Sequence, residues 1–303
     1  VFPKGREKKI YIGDQVNDII DLSGGKYKRP IQRGYITDLD FQAKLLKRMC
    51  HMMDCNPRNH SLFYTESIYN HSIIQNTLDE IIFEELQFTS CYRSISAPLV
   101  LKSYQYNELN EYKQQQDNGV IKPDLMDTNN GNIISQYQAF GTPAALIIEI
   151  GNSFTHIIPI YRSQTLNYAI QRIDIGTKLL INYLKECISY RQWNMMDEYK
   201  LMESIMQQTC YCSLNYQVDM AKMQSNEIEA IQYILPNGST YLYGQIRDPI
   251  NDININEDEV QLLSLNNERI SVPEILFHPN DIGLYQSGLC ESIKNCIDKC
   301  PIG

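Results

Sequence analysis

The chain lacks any long apolar run. The longest one, residues 144–150, is interrupted by Glu149 and is far shorter than the roughly 20 residues that a membrane span needs. It therefore predicts a buried strand, and we expect no membrane partner. Residues 1–9 are basic but no apolar segment follows them, so we also expect no secretory leader.

Positive charge is in short supply as well. The sequence has 27 Lys and Arg against 36 Asp and Glu, which gives a formal net charge of −9. This balance argues against a broad basic face for nucleic acid, and it leaves room for contact with basic proteins such as histones, although many soluble proteins are equally acidic. The one basic segment is N-terminal and is either a local DNA contact or solvated charge. Its residues are Lys4, Arg6, Lys8, Lys9, Lys26, Lys28, Arg29 and Arg33.

No two of the nine cysteines have the CxxC spacing of a structural zinc site. An odd number of thiols lying beside apolar residues is typical of reduced cysteines rather than of a disulfide framework. Cys50, His51, Cys55 and His60 form the one alternative zinc cluster, but they lack tightly spaced ligand pairs. Burial is the preferred interpretation, and we predict no metal site.

Hydrophobic periodicity predicts a mixture of helices and strands, after an irregular segment over residues 1–28. Asp38 is expected to cap the first helix. The predicted helices cover residues 38–49, 70–86, 95–104, 175–190, 198–208, 220–223 and 288–300. The predicted strands cover residues 61–64, 145–150, 155–161 and 168–174, with a turn at 236–238 between short strands. This order indicates an α/β fold with two related lobes.

Residues 105–138 interrupt the pattern. They are crowded with Asn, Gln, Asp and Tyr and have almost no apolar period. Such a composition favours disorder. We interpret the segment as a polar insertion, which serves either as a partner-docking element that orders on binding or as a surface loop.

Several motifs resemble those of the actin superfamily, in the same order along the chain. Residues 149–161 read E-I-G-N-S-F-T-H-I-I-P-I-Y, similar to the second phosphate loop D-S-G-D-G-x-T-H-x-x-P-I-Y. Residues 11–14, 29–34, 65–66, 83–85, 172–176 and 267–279 match further actin stretches. The chain is therefore identified as a member of this superfamily.

The resemblance implies a ribonuclease H-like, two-lobed fold. Residues 1–144 would form the first lobe (subdomains 1 and 2), with the insertion at 105–138, and residues 145–303 the second (subdomains 3 and 4). It also implies an incomplete fold. The first phosphate hairpin of actins would precede residue 1, and the L-S-G-G motif would follow Gly303.

A finer resemblance lies at residues 189–198, S-Y-R-Q-W-N-M-M-D-E, which is similar to a stretch typical of the actin-related protein six class. That class implies a nuclear scaffold subunit of a Swr-type chromatin-remodelling complex, which deposits the Z-type variant of histone two-A. The implied partners are other subunits, with histones or the nucleosome as further candidates. The implied location is the nucleus, with the cytoplasm as a second one. No self-filament is expected.

The resemblance also implies where ATP or ADP would bind, in a site that this chain contains only in part. The cofactor-binding positions would be Glu149, Gly151, Asn152, Ser153, Phe154, Thr155, His156, Gly176, Thr177, Met206 and Gln207.

Several of these positions depart from the actin pattern. Asn152 and Ser153 replace an Asp and a Gly, and Ser96 stands where actins have the Gln that positions the attacking water. On the adenosine side, the Arg, Lys and Glu of actins correspond to Glu203, Met206 and Gln207. We therefore predict a protein that is not an enzyme and has no catalytic residues. The alternatives are an ATP-binding, filament-forming actin-like protein and, disfavoured by the actin-like V-P-E-I-L-F at 272–277, a sugar or glycerol kinase.

Overall fold

The computed structural model describes residues 10–16, 28–117, 144–237, 241, 243–248 and 260–301. Its α-helices are α1 (Leu39–Met52), α2 (Ser72–Glu80), α3 (Ala97–Asp117), α4 (Thr177–Arg191), α5 (Tyr199–Thr209), α6 (Tyr216–Gln224), α7 (Glu268–Glu274) and α8 (Leu289–Asp298). None of the helices in this part of the chain combines the length and apolar character of a bilayer-crossing segment.

The strands are mostly short. They are β1 (Ile31–Gln32), β2 (Tyr35–Ile36), β3 (Ser61–Thr65), β4 (Ser90–Ser94), β5 (Ala144–Ile150), β6 (Thr155–Tyr161), β7 (Gln164–Thr165), β8 (Gln171–Ile173), β9 (Ile231–Ile234), β10 (Gln245–Ile246) and β11 (Leu262–Leu265). The predicted α/β class is confirmed.

By its internal contacts the chain divides into two compact units. The first unit comprises Val1–Cys55, Ile150–Phe154 and Ile173–Glu291, and the second comprises Asn56–Glu149, Thr155–Arg172 and Ser292–Gly303. This division by contacts differs from a division into actin lobes, so the lobe boundary between residues 144 and 145 stays a prediction.

In the first unit, α4 packs against α5 and α7, and β9 lies between β10 and β11. The apolar positions of α4 recur every three or four residues, which gives the helix one buried face. Side chains from these helices and strands make the core of the unit. Those that are fully buried include Ile181, Leu184, Ile188, Met202, Ile205, Tyr233, Leu263, Leu265 and Ile270.

Two polar contacts fix the N-terminal part of this unit. The Asp38 carboxylate accepts a hydrogen bond from the Phe41 N–H at 2.9 Å, which confirms the predicted cap of α1. Arg48 of α1 donates two hydrogen bonds, of 2.9 and 2.7 Å, to the carboxylate of Asp14. These bonds from Arg48 lower the pKa of Asp14.

In the second unit, β3 and β4 form a parallel pair, with Phe63 opposite Tyr92. A separate sheet has the order β5–β6–β7, and β8 also pairs with β6. One face of β6 packs on α3. The buried residues of that contact are Ala97, Leu101, Ile158 and Ile160, with Ile68, Ala145, Ile147 and Ile170 packed around them.

Most predicted elements are confirmed with small changes of length. The helix predicted over 70–86 is α2 followed by a π-helical turn, Ile81–Glu85, in which the Leu86 N–H donates to the Ile81 carbonyl at 2.9 Å. The strand predicted over 168–174 is shorter, because Tyr168 lies in a 3-10 turn, Asn167–Ala169, ahead of β8. The helix predicted near 220–223 extends over all of α6.

Two features of residues 90–117 differ from the prediction. Strand β4 precedes the helix and was missed, and α3 continues to Asp117. The first part of the predicted disordered insertion, residues 105–117, is therefore helical. Its Glu, Gln and Lys residues are good helix formers, and a helix already nucleated on buried Ala97 and Leu101 adds them at little cost. Residues 118–138 lie outside the described residues, as does most of the segment 1–28.

Candidate functional site

The predicted phosphate loop forms a tight turn between β5 and β6. The Gly151 N–H donates to the Phe154 carbonyl at 2.9 Å and closes the turn. A Cβ atom at Gly151 would lie 3.1 Å from that carbonyl oxygen, so the turn leaves little room for a side chain there. Glu149 is the second-last residue of β5, just before the turn. Thr155 and His156 are the first two residues of β6. Ile150–Phe154 belong to the first unit, whereas Glu149, Thr155 and His156 belong to the second.

In the first unit, Gly176 lies directly against the backbone of this turn. A Cβ atom at Gly176 would come within 2.6 Å of Asn152 and Ser153 backbone atoms. Its φ of −146° is extended and open to any residue, so close approach of the two chain segments, not backbone strain, is what requires glycine here. The retention of this family glycine is thus explained by packing.

The turn also occupies the N-terminus of α4. The Thr177 N–H donates to the Gly151 carbonyl at 3.0 Å, and the Lys178 N–H donates to the Asn152 carbonyl at 2.9 Å. The next two N–H groups, of Leu179 and Leu180, donate to the Gly176 carbonyl at 3.0 and 3.3 Å. A helix start binds anions through N–H groups that lack partners. All four have acceptors here, so none of these N–H groups is left free for a phosphate.

The side chain of Asn152 has partners of its own in the first unit. Its Oδ1 accepts a hydrogen bond from Arg29 at 3.2 Å and a longer one from the Tyr199 hydroxyl at 3.5 Å. The Arg29 guanidinium lies 5.1 Å from the centre of the Tyr199 ring, within cation–π range. The amide oxygen of Asn152 is therefore already bonded to a positively charged side chain of the same chain, that of Arg29.

Glu203 of α5 extends the same cluster. Its carboxylate lies 3.9 Å from Arg29 and 2.9 Å from Lys200, and its side chain is only 18% exposed. Met206 is half-buried and Gln207 is exposed. Sequence reasoning singled out Glu203 and the basic character of Arg29 but missed Tyr199, because no motif marks it. The Arg29–Tyr199 stack becomes visible only when distant segments come together.

In the second unit, the Ser96 hydroxyl donates a short hydrogen bond to the Glu149 carboxylate. Ser96 was expected inside a helix, but it immediately precedes α3, and its carbonyl accepts from the Leu99 and Val100 N–H groups at 2.9 and 3.1 Å. The short Ser96 side chain and the longer Glu149 side chain thus contact each other directly. Thr155 is fully buried and His156 half-buried in the same unit.

All nine cysteines are free thiols. The part of the chain that the structure covers contains no group of three or more His, Cys, Asp and Glu placed to hold an ion. Burial raises the pKa of most of the cysteine thiols, and for Cys210 and Cys296 it raises the pKa to about 11. The thiols with a raised pKa are those of Cys50, Cys91, Cys187, Cys210, Cys212 and Cys296.

These contacts do not fit a bound nucleotide with its metal ion. A phosphate–metal site needs free backbone donors and acidic or water-holding side chains. Within the first unit, the α4 N–H groups are used by the turn, and the side chain of Asn152 is neutral and bonded to Arg29. The assignment of the eleven predicted cofactor positions stays a prediction.

Comparison with known proteins accounts for the shared motifs. The family model described as Actin matches residues 2–303. Actin-like protein ARP6 of Cryptococcus neoformans is 34% identical over 318 aligned positions, covering 97% of this chain and 59% of its own length.

Two plant relatives agree with it. Actin-related protein 6 of Oryza sativa subsp. indica is 32% identical, covering 97% of this chain and 69% of its own length. Actin-related protein 6 of Arabidopsis thaliana is 32% identical, with 94% and 67% covered. The chain thus spans between about three fifths and two thirds of the length of these relatives. The resemblance to actin-related protein six and the actin-like fold are both confirmed, and the chain belongs to the actin family.

Proposed function

We propose that this protein is a non-catalytic scaffold subunit of a Swr-type chromatin-remodelling complex in the nucleus, a complex that deposits the Z-type variant of histone two-A. Its partners in this proposal are other subunits of the complex, with histones or the nucleosome as further contacts. The acidic charge of −9 is compatible with a basic partner. The similarity to actin-related protein 6 in several organisms supports the placement within the family.

The main support for a protein without catalytic activity is the set of hydrogen bonds that the side chain of Asn152 accepts. Actin-family domains generally bind ATP or ADP, and hydrolysis depends on positioned water and metal. Asn152 carries no charge, and its oxygen accepts from Arg29 and Tyr199. Ser96, at the water-positioning place, is bonded to Glu149. We infer that nucleotide binding, if retained by the full-length protein, is structural.

Association with a complex is tested by tagging the full-length protein and purifying it from nuclear extract. The proposal expects stoichiometric recovery of a remodelling ATPase and its subunits. Recovery of the protein alone, or only of cytoplasmic filament proteins, would contradict it. Deleting residues 118–138 from the same tagged protein then tests whether the polar insertion beyond α3 is needed for assembly.

The alternative function is an ATP-binding, filament-forming actin-like protein. Phosphate release by the full-length protein, purified free of the remodelling ATPase, separates the two. The scaffold proposal expects no turnover above buffer. Size-exclusion chromatography with and without ATP and magnesium gives a second criterion, because an actin-like polymer would move to the void volume only when both are present.

A further inference from the structure

Strand β11 lies at one side of the sheet β10–β9–β11, in the first unit. Its inner edge pairs with β9 in antiparallel register, with Leu263 opposite Tyr233. Among the described residues no strand pairs with the other edge. In an antiparallel pair, alternate residues direct their N–H and C=O groups to opposite sides, so Leu262 and Ser264 present theirs to the outer edge.

Two side chains occupy that outer edge. The Gln192 amide binds Ser264 twice, since its Nε2 donates to the Ser264 carbonyl at 2.6 Å and its Oε1 accepts from the Ser264 N–H at 2.8 Å. The indole N–H of Trp193 donates to the Leu262 carbonyl at 3.0 Å. These three bonds use three of the four outward backbone groups that a neighbouring strand would otherwise bind.

The backbone around this pair is anchored on both sides. Gln192 directly follows α4, and its own N–H donates to the Ile188 carbonyl at 2.9 Å. Met195, only 4% exposed, buries its side chain just beyond, and its N–H donates to the Ser189 hydroxyl at 2.9 Å. Gln192 and Trp193 are thus held over the strand by the helix end and by a buried residue, although Trp193 remains 45% exposed.

We propose that Gln192 and Trp193 form a side-chain cap that closes a strand-addition edge, and that the occupant they exclude is a second copy of this chain. An unpaired edge is a template for pairing with another strand. The cap satisfies the Leu262 C=O and the N–H and C=O of Ser264 within the molecule, so three of the four outward backbone groups are closed to an incoming strand. The scaffold role proposed above does not require this cap, so either can fail without the other.

A second copy is the expected occupant because the edge is self-complementary. Two copies of β11 can pair antiparallel about a twofold axis, each supplying the N–H and C=O groups of Leu262 and Ser264 to the other. In such a pair the buried Leu263 and Leu265 of each copy stay in their own core and the exposed Ser264 stays outside. No rearrangement of the strand is needed.

The test replaces both capping groups by apolar side chains that cannot form these bonds, in Q192M/W193F. Sedimentation velocity at matched concentrations should show a monomeric parent and a variant whose self-association constant is raised by at least about tenfold, because three hydrogen bonds are transferred from the cap to the partner strand. Amide hydrogen exchange at Ser264 should be faster in the variant at low concentration, where the edge is uncapped and unpaired.

A control variant, Q224M/Y285F, makes comparable polar-to-apolar changes at exposed positions outside the cap, and it should remain monomeric. A third variant adds S264P to Q192M/W193F. Proline has no N–H to offer and is tolerated at a strand edge, so it should abolish the association.

A monomeric Q192M/W193F, or an association that S264P leaves intact, would overturn the proposal. If the double variant does not fold, Q192M and W193F singly each remove part of the cap, and each is then expected to give a smaller rise in association. An unchanged association constant in both would equally contradict the cap.

Discussion

The Ser96 hydroxyl donates a hydrogen bond to the Glu149 carboxylate, although the two residues are 53 positions apart in the sequence. One residue immediately precedes α3 and the other lies near the end of β5. The bond joins a helix start to a strand end within the second unit, at two positions where the chain departs from the actin pattern. Ser96 is shorter than the Gln of the actin pattern and Glu149 is longer than its Asp, and the two side chains bond to each other.

Shortening the acid should break this pair. In Glu149→Asp the carboxylate no longer reaches Ser96, and the free energy of unfolding should fall by about 1.5–3 kcal/mol, as for a hydrogen bond to a charged group. Urea unfolding of E149D, S96A and the double variant forms a double-mutant cycle that measures the coupling. Additive effects of the two single changes would show that the bond contributes nothing.

Adding one methyl group at Gly176 should be more harmful than at most other glycines. In Gly176→Ala the Cβ meets backbone atoms at 2.6 Å, which cannot move without opening the turn, so we expect a loss of about 2–4 kcal/mol. Gly283→Ala is the matched control. Its Cβ meets nothing within 4 Å but its φ is +77°, so the loss should be about 1–2 kcal/mol. Denaturant unfolding compares the two, and a larger loss in G283A would contradict the packing argument.

Restoring the acidic residue of actins at position 152 should strengthen the existing cluster rather than create catalysis. In Asn152→Asp the new carboxylate faces Arg29, whose side chain is 47% exposed, so solvent limits the gain in stability to about 0.5 kcal/mol at low salt. The gain should disappear at about 1 M salt, where screening is strong. Thermal unfolding at the two salt concentrations measures it. Arg29→Ala in the same background is the control and should remove the gain.

Alkaline pH should destabilise the fold through its buried thiols. Burial raises the pKa of Cys210 from 9.0 to about 11, so the folded chain holds this proton where the unfolded chain has lost it. The stabilisation is complete below pH 9 and is lost progressively as the pH rises towards 11. Unfolding followed from pH 8 to 10.5 should therefore show a decline, by up to about 2 kcal/mol for this group, and the decline should be shallower in Cys210→Ala.

Alkylation gives an independent check on the same thiols. Exposed Cys290 should react with iodoacetamide well before Cys210 and Cys296 at pH 8, because the thiolate is the reactive form. Mass spectrometry of peptides from native protein resolves the order. Equal rates at all three sites would mean that the thiols are not protected by burial.

Local pattern was sufficient for the elements that have a period or a cap. The spacing of apolar residues located α1, α4 and α5, and the short side chain of Asp38 marked the start of α1. Those signals depend on residues within a few positions of one another, which is why they can be read directly. Strand β4 and the extension of α3 to Asp117 were missed because packing partners from elsewhere in the chain decide whether a weak local preference is realised.

The sequence by itself determined the family, through ordered motifs such as residues 149–161, and it marked the substitutions at Ser96, Asn152 and Ser153. Only the tertiary structure decided what those residues contact. Asn152 meets Arg29 and Tyr199, and Gln192 meets Ser264, over separations of 47 to 123 positions. Such pairs leave no local signature, because a hydrogen bond depends on the distance between its atoms in the fold and not on the number of residues between them.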